Sequence, residues 1–209
     1  MEGLKGLIGK KLGMTQLFEE SGVLTPVSVI QAGPCPVVQV KTPERDGYSA
    51  IQIAFGPLRE KLVTHPLRGH FKKSSIATHR VLKEVRVADP SQFKVGESVD
   101  LKAFEGTKMI DVIGQSKGRG FAGTVRRHNF NRGPVTHGSK NTREPGSVGQ
   151  CATPARILKG KRLPGRLGGK RVTTRNLKVV QVDTENNLIY VKGAVPGATN
   201  GFVFIKKAS

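Results

Sequence analysis

The sequence predicts a mostly-β domain, a barrel or a sandwich, interrupted by a long irregular basic extension. Three observations carry this prediction. Short β-type apolar runs recur between turn signals on both sides of the chain's middle. Helical spacing is nearly absent. The charge is also uneven: residues 115–178 hold sixteen Lys and Arg against one acid, Glu144, while the rest of the chain holds nineteen against fourteen.

In chain order, the first runs are Val27-Ser28-Val29-Ile30, Val37-Val38-Gln39-Val40 and Ala50-Ile51-Gln52-Ile53-Ala54-Phe55. Val81 to Val87 and Met109 to Ile113 follow. Ala32-Gly33-Pro34, Arg45-Asp46-Gly47, Asp89-Pro90 and Val95-Gly96-Glu97 separate them, and each combines residues that favour turn backbone. The only helix candidate is Leu58-Arg59-Glu60-Lys61-Leu62, which Pro66 is expected to stop. Beyond the basic stretch, Val179–Asp183 and Leu188–Val191 flank Thr-Glu-Asn-Asn and read as a hairpin. A last strand, Phe202-Val203-Phe204-Ile205, follows Pro196-Gly197.

Residues 115–178 contain eleven of the 26 glycines and two aromatics, Phe121 and Phe130. So few core-forming side chains do not offset the entropy of ordering the chain, so this segment is expected to be disordered alone in water. Strands on both sides of it belong to one domain. The expected division is therefore 1–114 as the first part of the β domain with insertions, 115–178 as a basic finger, and 179–209 as the last strands. A finger held at both ends has a fixed base, which a tail lacks.

A formal charge of +20 opposes compaction unless a polyanion supplies counter-charge. A membrane partner is disfavoured, because no apolar run approaches the 18 or so residues that span a bilayer and no segment forms a basic amphipathic helix. The first eleven residues are too weakly apolar for a signal peptide and too rich in glycine for a transit peptide, so the expected location is cytoplasmic. Cys35 and Cys151 stand far apart in no metal-ligand spacing and read as free thiols. His65, His70, His79, His128 and His137 form no ligand pair with one another or with a cysteine, so no metal is expected.

Two glycine patterns in the basic segment imitate nucleotide loops. Gly118-Arg119-Gly120-Phe121-Ala122-Gly123 has the spacing of a dinucleotide turn. The residues after it show no helical period, and the first downstream acid is Glu144, not a ribose-binding carboxylate at the required distance. Gly160 to Leu167 spaces its glycines as a phosphate loop does, but Arg166 stands where Lys is needed and Leu167 where a magnesium-binding hydroxyl is needed. No cofactor and no small-molecule substrate is expected. Ser139, Ser147 and Cys151 lie near His137 without a supporting acid, so the chain does not read as an enzyme. No recognition helix, zinc finger or basic zipper is present for a DNA groove, and the paired aromatics of an RNA-recognition sheet are missing.

Glycine alternating with cations lets backbone NH groups and side chains approach crowded phosphates, and arginine can fork across phosphate oxygens and stack on unpaired bases. Folded RNA is thus the expected partner. The cations expected to contact it are Lys117, Arg119, Arg126, Arg127, Arg132, Lys140, Arg143, Arg156, Lys159, Lys161, Arg162, Arg166, Lys170, Arg171 and Arg175.

Four stretches carry a family resemblance: Ile8 to Gln16, Ser116 to Val125, Pro145-Gly146-Ser147-Val148-Gly149-Gln150, and Val191 to Gly197. In order and at this chain length, they closely resemble the bacterial form of the ribosomal protein L3 family. The resemblance implies a six-stranded barrel of the translation-factor type in the large ribosomal subunit. It implies an extension following large-subunit ribosomal RNA toward the peptidyl-transferase centre, binding early in subunit assembly, and contacts with neighbouring large-subunit proteins. It also makes Gln150 a candidate for side-chain amide methylation by a glutamine methyltransferase, which would remove one donor hydrogen and leave charge unchanged. Two rival readings make different demands. An RNA chaperone would not cosediment stoichiometrically with large subunits after a high-salt wash, and a nucleotide enzyme would be stabilised against heat by its ligand.

Overall fold

Alternation of apolar and polar side chains sets the strands in the computed structural model of the chain, which describes residues 4–19 and 21–208. The strands are β1 (Gly6–Phe18), β2 (Leu24–Ala32), β3 (Cys35–Lys41), β4 (Ala50–Pro57), β5 (His79–Arg86), β6 (Ser98–Val99) and β7 (Met109–Gln115). They continue with β8 (Phe121–Ala122), β9 (Gly165–Arg166), β10 (Arg171–Asp183), β11 (Leu188–Lys192) and β12 (Phe202–Lys207). Three short helices accompany them: α1 (Pro43–Asp46), α2 (His65–Lys73) and α3 (Thr124–His128). The chain divides into two compact units, residues 1–115 with 171–209, and residues 116–170.

In the first unit six strands close an antiparallel barrel in the order β1-β12-β7-β10-β11-β2. Every second residue points inward along β7, β11 and β12, so Ile110, Val112, Ile189, Val191, Val203 and Ile205 are buried in turn. Each such side chain contributes about 1.5–3 kcal/mol by leaving water. The hairpin expected around Thr-Glu-Asn-Asn is β10–β11, in which Asp183 pairs with Leu188. Its turn is tied by Asp183, whose carboxylate accepts from the Asn186 backbone NH and side-chain amide. Those bonds hold its pKa below the ordinary Asp value.

The runs at 37–40, 50–55 and 81–87 do not enter the barrel. They build a four-stranded sheet, β5-β4-β3-β6, between β2 and β7 in sequence. Val37, Ile51, Ile53 and Val85 of this sheet share one buried cluster with the barrel's Leu7, Ile8 and Ile30.

Three elements depart from the expectations above. β1 is a thirteen-residue strand that the glycines at 6, 9 and 13 hide from an apolar reading. Gly9 is required there, because a Cβ would lie 2.7 Å from the Gln31 backbone carbonyl across the β1–β2 ladder. Pro66 does not stop a helix; it lies in the first turn of α2, where its missing NH would have no partner in any case. The stretch at 58–62 yields only a single 3-10 turn, Glu60–Leu62. Phe71 of α2 is buried against Val38 and Ala54.

Candidate nucleic-acid interface

The second unit interrupts the barrel between β7 and β10, which are neighbours in the ladder. Gln115 and Arg171 are cross-strand partners, so the insertion leaves and returns at one rung. Arg171–Lys178, which the charge pattern grouped with the finger, are paired or continuous with β7's partner strand β10. Arg171 and Arg175 therefore stand exposed on a barrel strand, and the other thirteen candidate cations lie in the 116–170 unit.

At its base this unit is a narrow ribbon. The Ser116 NH donates to the Lys170 carbonyl at 2.9 Å, the Arg119 NH to the Leu167 carbonyl at 2.9 Å, and the Leu167 NH to the Gly120 carbonyl at 2.9 Å. β8 and β9 continue it, with Phe121 opposite Arg166. Gly168 has φ +73°, a left-handed backbone, and a Cβ there would collide with the Lys117 carbonyl. Close approach of the two chains thus needs glycine on both counts.

The Gly-x-Gly-x-x-Gly stretch lies in this ribbon, and its last glycine, Gly123, is the N-cap of α3. A helix does open at this loop, contrary to expectation. It is five residues long, too short to show a period, and Asn129 ends it at φ 59°. Its last turn carries Arg126, Arg127 and His128. Arg127 donates to the Leu163 carbonyl, and His128 Nε2 lies 3.1 Å from the same oxygen. Gly165 makes room for that guanidinium, since a Cβ there would press on it.

Arg127 is accordingly half-buried and used internally. The remaining candidates, Lys117, Arg119, Arg126, Arg132, Lys140, Arg143, Arg156, Lys159, Lys161, Arg162, Arg166 and Lys170, are all exposed. The single acid, Glu144, lines a concave surface with His128, Phe130, Arg132 and Arg162. Both ion pairs among the described residues lie in the other unit, Lys41 with Glu84 and Lys192 with Glu19. Within the 116–170 unit only Ala122 and Thr124 are buried, and Phe121, Val135, Ile157 and Leu158 are exposed. Gln150 and Cys151 are exposed as well. Cys35, by contrast, is buried in the barrel unit, and burial pushes its thiol up to about 12.

One basic region escaped the charge reading. Residues 59–86 carry eight Lys and Arg against two acids, on α2, β5 and their connections. Arg80, Lys83 and Arg86 are interspersed with Val81, Leu82 and Val85 along β5, and Arg80 lies over the Phe202 ring at 5.7 Å. The β-type apolar residues of 81–87 hid a signal that a charge count over that window reveals. Among the described residues there is no group of three or more His, Cys, Asp or Glu arranged to hold a metal, and no helix is long and apolar enough to cross a membrane.

Fold and surface together define a class: a β-barrel scaffold that carries, at one rung of its wall, a polycation of thirteen Lys and Arg with one acid, Glu144. The family model for ribosomal protein L3 matches residues 70–187. Large ribosomal subunit protein uL3 of Heliobacterium modesticaldum is 53% identical over 204 residues, covering 98% of this chain and 97% of the relative. The proteins of that name from Pelotomaculum thermopropionicum and Syntrophobacter fumaroxidans are 54% and 51% identical, over 98% and 99% of this chain and 97% and 98% of their own lengths. The chain belongs to the ribosomal protein L3 family, a structural and non-enzymatic component of the cytoplasmic ribosome.

Proposed function

We propose that this chain is a constituent of the large ribosomal subunit that binds large-subunit ribosomal RNA through residues 115–178, with the barrel as the base that fixes where they are delivered. One observation carries the reading: thirteen Lys and Arg of the 116–170 unit face a single acid of the same unit, and twelve of them are exposed. Neutralising such a surface by phosphates releases counterions from the RNA, which favours binding and makes it steeply dependent on salt. Exposed Phe121, Ile157 and Leu158 offer apolar surface among these cations against which unpaired bases can stack or pack. The finer points rest on the family resemblance. They are an extension reaching toward the peptidyl-transferase centre, binding early in subunit assembly, contacts with neighbouring ribosomal proteins, and amide methylation of Gln150 by a glutamine methyltransferase. Exposure of Gln150 is compatible with the last.

The test is replacement of residues 116–170 by an Asn-Gly turn, which Gln115 and Arg171 can flank because they are already cross-strand partners. The shortened protein is expected to melt cooperatively as a barrel and to be absent from large subunits after a high-salt wash. Incorporation at the level of the full chain would overturn the reading. Mass spectrometry of the peptide containing Gln150, isolated from assembled subunits, decides the methylation: a mass increase of one methyl group supports it, and the unmodified mass refutes it.

A further inference from the structure

The 29 residues from Leu12 to Val40 contain no Lys or Arg and include two acids, Glu19 and Glu20. No other cation-free run in the chain exceeds thirteen residues. The first half of this run is the far end of the β1–β2 hairpin. β12 pairs with β1 only over Gly6–Lys10, and β11 pairs with β2 only over Val27–Gln31. From Gly13 on, β1 keeps only β2 as a ladder partner, and at the tip Gln16–Phe18 and Leu24–Pro26 pair only with each other, a two-stranded ribbon beyond the rungs of β11 and β12. Such a ribbon is marginal in water by itself.

Its outward face is apolar. Phe18 opposes Leu24, Gln16 opposes Pro26, and Met14 lies two residues further along the same face. Phe18 is 78% exposed, Met14 54% and Leu24 46%, with Val23 in the turn at 57%. Thr25 and Val27 alternate inward and are buried. Two cations of neighbouring strands come near the tip: Lys192 approaches Glu19 at 4.0 Å, and Lys178 acts on the same carboxylate from further off. The Thr25 hydroxyl also donates to Glu19 at 2.8 Å, so that acid is held ionised at the edge of the apolar face.

We propose that the outward face of the β1–β2 ribbon docks a neighbouring basic protein of the same particle, one that presents apolar side chains with cations around them. An RNA backbone is disfavoured there, because the ribbon's own sequence offers no cation and carries Glu19 and Glu20 in the stretch that joins its strands. A basic protein gains from that negative charge and covers the aromatic and aliphatic side chains that a lone ribbon leaves in water. Phe18 is the expected anchor, since large aromatic side chains dominate such interfaces. This inference rests on the ribosomal reading above.

The test places a photo-cross-linking phenylalanine derivative at Phe18 in the full chain, and as a control at Val135 in the 116–170 unit. Each is assembled into large subunits, washed in high salt and irradiated. Expected is one stoichiometric adduct of the Phe18 probe to a single basic ribosomal protein, with the Val135 probe on RNA. An RNA adduct, a second copy of this chain, or no adduct from Phe18 while the control reacts would overturn the docking surface alone. Failure of both probe proteins to enter subunits would overturn the ribosomal reading and the docking surface with it. A Met14→Ser/Phe18→Ser double variant, with the probe moved to Val23, should lose adduct by about tenfold or more. Its melting temperature should match the parent, because both side chains are exposed; unchanged adduct yield would overturn the proposal.

Discussion

The two units of this chain use side chains in opposite ways. In the barrel unit, residues from the closed barrel and from the β5-β4-β3-β6 sheet converge on one apolar cluster, and cations include two that find carboxylates, Lys41 and Lys192. In the 116–170 unit, two residues are buried and the cations have no ion pair among the described residues. The first unit holds the means of its own stability. The second is held by backbone hydrogen bonds at its ribbon, by Arg127 on the Leu163 carbonyl, and by whatever neutralises its charge. Stability and binding should therefore separate cleanly by mutation.

The largest effect is expected from charge removal in the extension. Replacing Lys159, Lys161, Arg162 and Lys170 together by glutamine should flatten the plot of log affinity for ribosomal RNA against log salt by roughly 0.7–0.9 for each phosphate no longer neutralised. The melting temperature of the free protein should hold or rise, because like-charge repulsion falls. A lowered melting temperature with an unchanged salt slope would reverse the roles assigned to the two units.

Next comes a core truncation. Ile205→Ala removes a fully buried side chain from the barrel and is expected to cost about 2–5 kcal/mol in denaturant unfolding. Protein that remains folded should keep the parental salt slope, since no cation is moved. Gly168→Ala should act more locally. It forces a left-handed backbone on alanine and drives a Cβ into the Lys117 carbonyl, so amide exchange should quicken at Arg119 and Leu167 while the β7–β12 ladder keeps its protection. Equal loss of protection in both places would mean that the ribbon and the barrel unfold as one.

How much of this was legible in the sequence follows from the same contrast. Strands with regular alternation, such as Leu188–Lys192 and Phe202–Lys207, announce themselves, because burial on one face imposes a period of two. β1 does not, since glycine at position 9 is demanded by the Gln31 backbone of the neighbouring strand, a partner 22 residues on in sequence. α2 is hidden when Pro66 is taken for a terminator, whereas its place in the first turn makes it an initiator. The basic segment is visible from charge alone, yet charge does not distinguish Arg126, exposed, from Arg127, turned onto a carbonyl 36 residues away. Nor does it show that Arg171 and Arg175 belong to a barrel strand.

The smallest expected effect concerns a cluster of the barrel unit in which a lysine, a tyrosine and a glutamate satisfy one another. Lys41 Nζ lies 2.9 Å from Glu84 Oε1 and donates to the Tyr48 hydroxyl at 2.8 Å, which in turn donates to Glu84 Oε2 at 2.8 Å. The bond from Lys41, then that from Tyr48, holds the Glu84 carboxyl below the ordinary Glu range, and bonds to Tyr48 and Glu84 raise the Lys41 ammonium. A depressed carboxylate adds stability above its ordinary pKa and loses it as pH falls through the depressed value, while a raised ammonium adds stability at lower pH and loses it as pH rises through the raised value. Both contributions are present near neutrality. Glu84→Gln should lower the melting temperature slightly at neutral pH, and the gap to the parent should close on acidification as Glu84 is protonated. The cluster is partly exposed, so salt should narrow the gap as well. A gap that stays constant from neutral pH into strong acid would show that Glu84 acts by packing alone and that this cluster draws no measurable stability from its charges.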